Sequence, residues 1–319
     1  MHVLMLTPML PHPGALTGGA LVMHGQLEAL AAHHRVTLAA LATDTPTERA
    51  AADGLRATGV DVHCVWGPPP TGPRLWARRW RLARAWLRND APLRTLAFAV
   101  PAMQALLDRL AGERRFDVVQ VEDNAMGHYV LPSGIPTLLT EHEARTDADV
   151  AGVERGRWRR YQRAVWARFD RIQVFTPADA AAVRSAAPAL AGRVRVNPFG
   201  VAVPPPSGDG VRNTVVFVGG FLHPPNVDAA CWLGRTITPL LRERVPDARV
   251  LIVGSAPPRA VRALASDAVV VTGRVPDVGP YLDQAERLAE PPALPGDEPS
   301  QHSTEPRAHL RAGQKISCL

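Results

Sequence analysis

Gly219 and Gly220 follow directly on the β-branched and aromatic run Val215–Val218, and an apolar-periodic segment begins near Asn226. A strand, a turn without side chains and a helix start let backbone amides and a helix N-terminus approach a phosphate. A βα turn that binds nothing reads the same way, and this stretch alone does not separate the two. Gly18 and Gly19 offer a second such place, at the turn expected before the helix Leu21–His34. Simple turn punctuation is the other reading there. A third group carries side-chain chemistry. Glu122 and Asp123 end the strand expected over Asp117–Val121, and Glu141, His142 and Glu143 end the one over Thr137–Thr140. Polar residues at the carboxyl end of a parallel strand face the ligand crevice of an open α/β sheet. A histidine satisfied within the protein is the bland alternative for His142.

The elements that must position these residues alternate. His2–Thr7, Val36–Ala42 and Val60–Val65 read as buried strands, separated by the helices Leu21–His34 and Glu48–Thr58. That βαβ rhythm predicts a parallel sheet. It resumes with a helix over Val100–Leu110, the two strands that carry the polar ends, a helix over Glu154–Phe169 and the strand Arg171–Phe175. Thr176, Pro177 and Asp179 suit the start of a further helix, and Arg193–Val196 a short strand. The Pro- and Gly-rich stretch 201–212 reads as a linker. Beyond it come the strand at Val215, a helix over Val227–Val245, the strand Arg249–Val253, a helix over Arg259–Ala265, the strand Val269–Thr272 and a loop from Gly273. The expected division is 1–200, the linker 201–212, a second α/β unit over 213–287 and a disordered tail over 288–319 that is polar and proline-rich.

One segment interrupts the rhythm. In RLWARRWRLARAWLRND, residues 74–90, Trp76, Trp80, Ala83 and Leu87 share one stripe of a helix. Arg74, Arg78, Arg81, Arg84 and Arg88 take the other side. The favoured reading is a surface helix whose stripe enters the core. A peripheral membrane helix has the same basic and Trp-bearing character.

Composition sets the outer limits. A chain of 319 residues has room for two domains. The net charge of +6 rests almost wholly on arginine, since Lys315 is the one lysine. That balance permits an anionic partner, either a phosphate or an acidic membrane surface. No nucleic-acid motif accompanies the arginines, so nucleic acid is not an expected partner. Cys64, Cys231 and Cys318 lie far apart, which fits a reducing cytoplasm. The expected location is cytoplasmic, with the inner face of the membrane as the alternative that the basic helix leaves open. No carboxylate pair or histidine cluster is placed to hold a metal, so neither metal nor cofactor is expected.

Taken in order, the motifs resemble those of glycosyltransferase family 4. TPMLPHPGALTGGA resembles the family's first strand and glycine loop, and VTLAALA its second strand. LLTEHE resembles its histidine-bearing strand end, VFTPADAAAV its next turn, and VNPFGVAVP its linker. VVFVGGFLHPPNVDAACWL resembles the first strand and loop of the donor domain, and RVLIVGSAP and VVVTGRVPDVGPYL the strands after it. The match spreads from Met1 to about Glu286. It implies an α/β fold of the GT-B type, two Rossmann-like doubly wound domains facing each other across a cleft, the second incomplete here.

The resemblance also implies an activity: hexosyl transfer, with retained configuration, from a nucleotide-sugar co-substrate to a glycan or lipid-linked acceptor. Gly19 resembles the glycine whose amide approaches the sugar-phosphate, and Gly219, Gly220 and Phe221 belong to the diphosphate loop. Gly273, Arg274 and Val275 resemble the loop that reads the base. His142 resembles the histidine that contacts the transferred sugar, where a neutral imidazole offers a hydrogen bond to a hydroxyl. Gly18, Glu122 and Glu141 fall on the acceptor side.

The sequence departs from the family at two places. The diphosphate loop often carries an Arg and a Lys, where this chain has Phe221, His223, Pro224 and Pro225. The family also uses Glu-x7-Glu at the start of a helix. Glu290 and Glu298 have that spacing, but Pro291, Pro292, Pro295 and Pro299 oppose a helix there, each interior proline costing about 3 kcal/mol. From about Glu286 the expected explanation is a shifted or prematurely ended reading frame, which translation of the downstream DNA in the other frames tests. A catalytically inactive remnant that keeps only acceptor binding is the competing reading.

Overall fold

The computed structural model describes residues 1–15, 17–69, 72–142, 144, 152–200, 211, 213–284 and 287–288. It divides into two compact units, one of residues 1–15 and 19–200 and one that takes the rest of the chain.

The first unit opens with β1 (His2–Thr7), α1 (Gly18–Ala31), β2 (Arg35–Thr43), α2 (Pro46–Ala57) and β3 (Asp61–Gly67). Then come α3 (Gly72–Arg88), α4 (Leu93–Phe98), α5 (Pro101–Glu113), β4 (Val118–Glu122), β5 (Thr137–Glu141), α6 (Gly152–Arg168), β6 (Arg171–Val174), α7 (Pro177–Ala186) and β7 (Val194–Val196). All seven strands lie in one parallel sheet of order β3-β2-β1-β4-β5-β6-β7. Successive side chains of a strand point to opposite faces, and β1 shows both. Val3 and Met5 join the core with Met23 and Leu27 of α1, and Leu4 and Leu6 join Leu107 of α5 and Trp166 of α6. Both faces are covered, which explains why the strands read as continuous apolar runs.

The helix starts follow their residue types. Thr45 accepts a hydrogen bond from the Glu48 amide at 3.2 Å, and Thr176 from the Asp179 amide at 3.0 Å, each with proline in the first turn. Helix α1 begins at Gly18, so both glycines occupy its first turn rather than the turn before it.

Helix α3 forms where expected but packs the other way. Trp76, Trp80 and Leu87 are 63%, 70% and 73% exposed, so the stripe expected in the core faces outward. The inward side is Leu75, Leu82, Ala85 and Trp86, all half-buried. Trp86 Nε1 donates to Glu154 Oε2 at 2.6 Å and Arg157 sits over its ring at 4.2 Å. A tryptophan one helical face away from its neighbours, with a carboxylate partner, outweighed the regular spacing of the other two.

The second unit holds β8 (Thr214–Val218), α8 (Pro224–Trp232), α9 (Thr238–Arg244), β9 (Arg249–Val253), α10 (Arg259–Arg262), β10 (Val269–Gly273), α11 (Gly279–Leu282) and β11 (Arg287–Leu288). A π-helical turn, Leu233–Ile237, separates α8 from α9, and the Thr238 hydroxyl donates to the Leu233 carbonyl at 2.8 Å. The sheet order is β10-β9-β8-β11, all parallel. Strands therefore do not stop at three. Arg287 and Leu288 pair with Val215 and Val216, and Leu288 belongs to the sheet rather than to a tail. The loop expected from Gly273 contains α11. Val211 lies against this unit, its amide bonded to the Gln284 carbonyl at 3.1 Å. The rest of the linker other than Val211, and the expected tail from residue 289 with Glu290 and Glu298, lie outside the described residues. Among the described residues no helix is long and apolar enough to cross a membrane.

Candidate functional site

Strand order reverses beside β1 in the first unit, where β1 and β4 are neighbours. The carboxyl ends of β4 and β5 bring Glu122, Asp123, Glu141 and His142 together there. Glu122 is fully buried, and its Oε1 accepts from Thr140 Oγ1 at 2.8 Å and Gln120 Nε2 at 2.6 Å. Its Oε2 lies 2.7 Å from His142 Nε2. The imidazole stands edge-on to Phe175, with ring centroids 5.1 Å apart. Burial opposes a charged ring, yet the hydrogen bond and negative charge of Glu122, with Asp123 and Glu141 behind it, raise the His142 pKa above its ordinary value. Nε2–H therefore points at Glu122, and Nδ1 becomes a second donor when the ring is charged. The shift runs toward the charged ring and away from the neutral imidazole of the sequence reading.

Glu141 is 1% exposed. Trp166 Nε1 donates to its Oε2 at 2.6 Å and Asn124 Nδ2 to its Oε1 at 2.7 Å. Burial pushes its pKa up to about 7 in spite of those bonds. Glu122 and Glu141 were expected as acceptor contacts, but both are enclosed and spend their oxygens on protein donors. Their place is behind the site, where they hold His142 and Asn124. Asp123 caps the short turn Asn124–Met126, with its Oδ1 accepting from the Ala125 amide at 2.9 Å and its Oδ2 from Arg94. Its φ of 71° is unusual for a residue other than glycine, and the cap and the arginine together sustain it. Thr7 Oγ1 and Asn124 Oδ1 are buried in this region with no partner among the described residues.

In the second unit the reversal lies between β8 and β11, and the candidate residues sit at the carboxyl ends of β8 and β10. Backbone bonds join the loops to each other. The Gly219 amide donates to the Val253 carbonyl at 3.0 Å, the Phe221 amide to Ser255 at 3.0 Å, and the Gly254 amide to Gly273 at 3.2 Å. A Cβ added to Gly254 would collide with the Gly219 carbonyl oxygen. Asn226, 5% exposed, donates to the Gly220 carbonyl at 3.0 Å and fixes that turn from below. Gly273 has φ +74°, a left-handed conformation that disfavours any side chain. Arg274 is exposed and Val275 half-buried. Phe221 was expected at the donor, but its ring is 5% exposed and packs with Phe217 in the core, leaving only its backbone for a ligand.

Gly18 and Gly19 supply first-turn amides of α1, the groups that lack an intrahelical partner. A Cβ at Gly19 would meet nothing within 4 Å. Gln120, Asn124, Trp166, Asn226 and Gly254 were not singled out from sequence. Asn226 and Gly254 stand within the motifs that carry the resemblance. Gln120 and Trp166 carry no local signal, since a lone polar residue in a strand and a lone aromatic in a helix become informative only through their partners.

Two parallel sheets with polar and glycine-rich strand ends at each order reversal define an α/β protein of the GT-B type. Residues 17–200 match the family described as glycosyl transferase 4-like domain, and residues 212–292 match the one described as glycosyl transferases group 1. The chain belongs to this glycosyltransferase family. Solved structures share the fold. TarM has a TM-score of 0.57 at 7% identity, covering 90% of this chain and 79% of its own. A substituted form of S. aureus TarM in complex with Fondaparinux, alpha-GlcNAc-glycerol and UDP gives the same score and identity, covering 90% and 80%. The N-terminal domain of Candida albicans trehalose-6-phosphate phosphatase has a TM-score of 0.51 at 12% identity, covering 88% and 76%. Among curated proteins, none matches the sequence.

Proposed function

We propose that the chain transfers a hexosyl group from a nucleotide-sugar donor to a hydroxyl of a glycan or lipid-linked acceptor, with retention. The observation that carries this reading is the loop set of the second unit. Backbone bonds from Gly219 to Val253, Phe221 to Ser255 and Gly254 to Gly273 gather the loops at the carboxyl ends of three parallel strands, and they hold the side-chain-free Gly219–Gly220 turn where a diphosphate can approach the backbone. Gly219 and Gly220 take the diphosphate, and the backbone of Gly273, Arg274 and Val275 takes the base. In the first unit the Gly19 amide approaches the sugar-phosphate and His142 donates to a sugar hydroxyl. UDP accompanies TarM in its complex, which supports a nucleotide of that kind.

In the reaction the anomeric carbon–phosphate oxygen bond breaks and a bond to the acceptor oxygen forms on the same face. The acceptor's proton passes to the leaving phosphate, and a nucleoside diphosphate departs. The protein contributes position and charge stabilisation, and needs no covalent adduct. Residues 74–90 make a peripheral membrane contact in this reading, with the outward Trp76, Trp80 and Leu87 and the neighbouring Arg84 and Arg88 on a lipid surface.

Calorimetric titration with UDP and with GDP tests the proposal. Micromolar binding of either one is expected. Failure of both to bind sinks the donor reading and leaves an acceptor-binding protein.

A further inference from the structure

A cavity of about 600 Å³ opens between α3 and the carboxyl ends of β1, β2 and β3, within the range of small-molecule sites. Met9, Val65, Trp66 and Phe98 give it apolar walls, and Arg78 and Arg81 of α3 stand on its lining. Neither arginine has an ion-pair partner among the described residues. Glu48 also lines it, but its Oε2 is held by the Thr43 amide at 2.6 Å. The site is thus largely apolar, with two guanidinium groups against one carboxylate that is tied to the backbone, and guanidinium recognises phosphate by paired hydrogen bonds.

Helix α3 gives the cavity a second property. Leu75, Leu82 and Trp86 hold it to the protein, while Trp76, Trp80 and Leu87 stand out on a different face. Arg84 and Arg88 border that outer stripe. The helix that supplies the cavity's arginines therefore also presents the one basic, tryptophan-bearing face described above for a lipid surface.

We propose that this cavity binds an amphiphile that joins an apolar chain to a phosphate, with the chain against Met9, Val65, Trp66 and Phe98 and the phosphate on Arg78 and Arg81. Its identity as the acceptor subsite rests on the glycosyl-transfer reading above, whereas the binding itself does not.

The test is calorimetry on the full chain with decyl phosphate below its micelle concentration, beside inorganic phosphate and decyl maltoside. Decyl phosphate binds, and each of the other two binds at least tenfold more weakly. Arg78→Gln with Arg81→Gln lowers decyl phosphate affinity at least tenfold, and Ala97→Leu, which narrows the cavity, does the same. Trp76→Ser with Trp80→Ser, on the outer face, leaves that affinity within twofold and removes capture by phosphatidylglycerol vesicles. Equal binding of inorganic phosphate would reduce the site to a surface anion site, and equal binding of decyl maltoside would remove the arginines' role. An unchanged affinity in the folded double arginine variant places the ligand elsewhere. Each result overturns the proposal. Decyl phosphate binding without UDP or GDP binding keeps the cavity and sinks the donor reading, and the reverse does the opposite.

Discussion

The two sheets begin in the same strand order, β3-β2-β1-β4 in the first unit and β10-β9-β8-β11 in the second, yet they furnish their reversal points differently. In the first, side chains do the work. Buried Glu122 holds His142 and buried Glu141 holds Asn124, so carboxylates stand behind the strand ends and set the groups that a ligand would meet. In the second the backbone does it, with glycines bonded loop to loop and Asn226 beneath them. Turns without side chains let a diphosphate come close to the backbone. In the proposed reading one topology serves neutral sugar groups in one unit and an anion in the other, and the difference lies in what stands at the strand ends.

The strongest challenge to this contrast is removal of Glu122. Its two oxygens satisfy Thr140, Gln120 and His142 inside the core, and breaking a buried pair costs about 3–5 kcal/mol. Glu122→Ala is expected to lower the unfolding free energy, read from a urea titration, by that amount. A loss below about 1 kcal/mol would show that the network is slack and that side chains do not fix this site.

The counterpart in the second unit is Gly254→Ala. Its added methyl meets the Gly219 carbonyl, a backbone atom within a hydrogen-bonded turn, so the loops must separate. A cost of about 3 kcal/mol is expected, as for other forced backbone changes. UDP affinity should fall at least tenfold. Normal affinity in a folded variant means that the turn is not the diphosphate site.

A pH titration separates the units without moving an atom. Burial holds the Glu141 pKa at about 7 against an ordinary 4.5. Between those values the folded chain keeps a proton that the unfolded chain has released, so stability falls as pH rises and the penalty is complete above about 7. Its size is on the order of 3 kcal/mol. His142 adds to the trend at higher pH. Its pKa is raised in the folded state, so its contribution is fully present below 6.5 and is lost as pH climbs through the folded value. Glu141→Gln should flatten the lower window and weaken the upper one without abolishing it, since Glu122 and Asp123 still raise His142, as read by thermal melts from pH 4 to 9.

Much of this was legible in the sequence because parallel strands buried on both faces are continuous apolar runs. The strands at His2, Arg249 and Val269 stand within a residue or so of where their residues place them. The placement of His142 beside the reversal point also follows from a strand ending in polar residues. What escaped was set by partners distant in sequence. The stripe of α3 has helical spacing whether it faces in or out, and only Trp86 meeting Glu154 settles the direction. Strand β11 is two residues long and has no pattern of its own, being defined by its pairing with Val215 and Val216. Phe221 belongs to a glycine loop by sequence and to the core by packing. Glu141 resembles any exposed strand-end acid until Trp166 and Asn124 enclose it.

The smallest effect on stability carries the sharpest test of what the glycines are for. A Cβ at Gly254 collides with backbone and one at Gly219 presses on the Asn226 and Phe217 side chains, so these glycines have a role in packing whether or not a ligand binds. Gly19 is different, because a Cβ there meets nothing within 4 Å and the residue lies in the first turn of α1. Alanine is the better helix former by up to about 1 kcal/mol, so Gly19→Ala should leave the melting temperature unchanged or raise it by a few degrees. If the α1 amides approach a sugar-phosphate, the same methyl intrudes on the ligand, and the KM for the donor rises at least tenfold. A variant that is as stable as the parent and uses the donor equally well makes Gly19 mere punctuation. A stable variant that has lost the donor shows a glycine kept for a molecule the fold does not need.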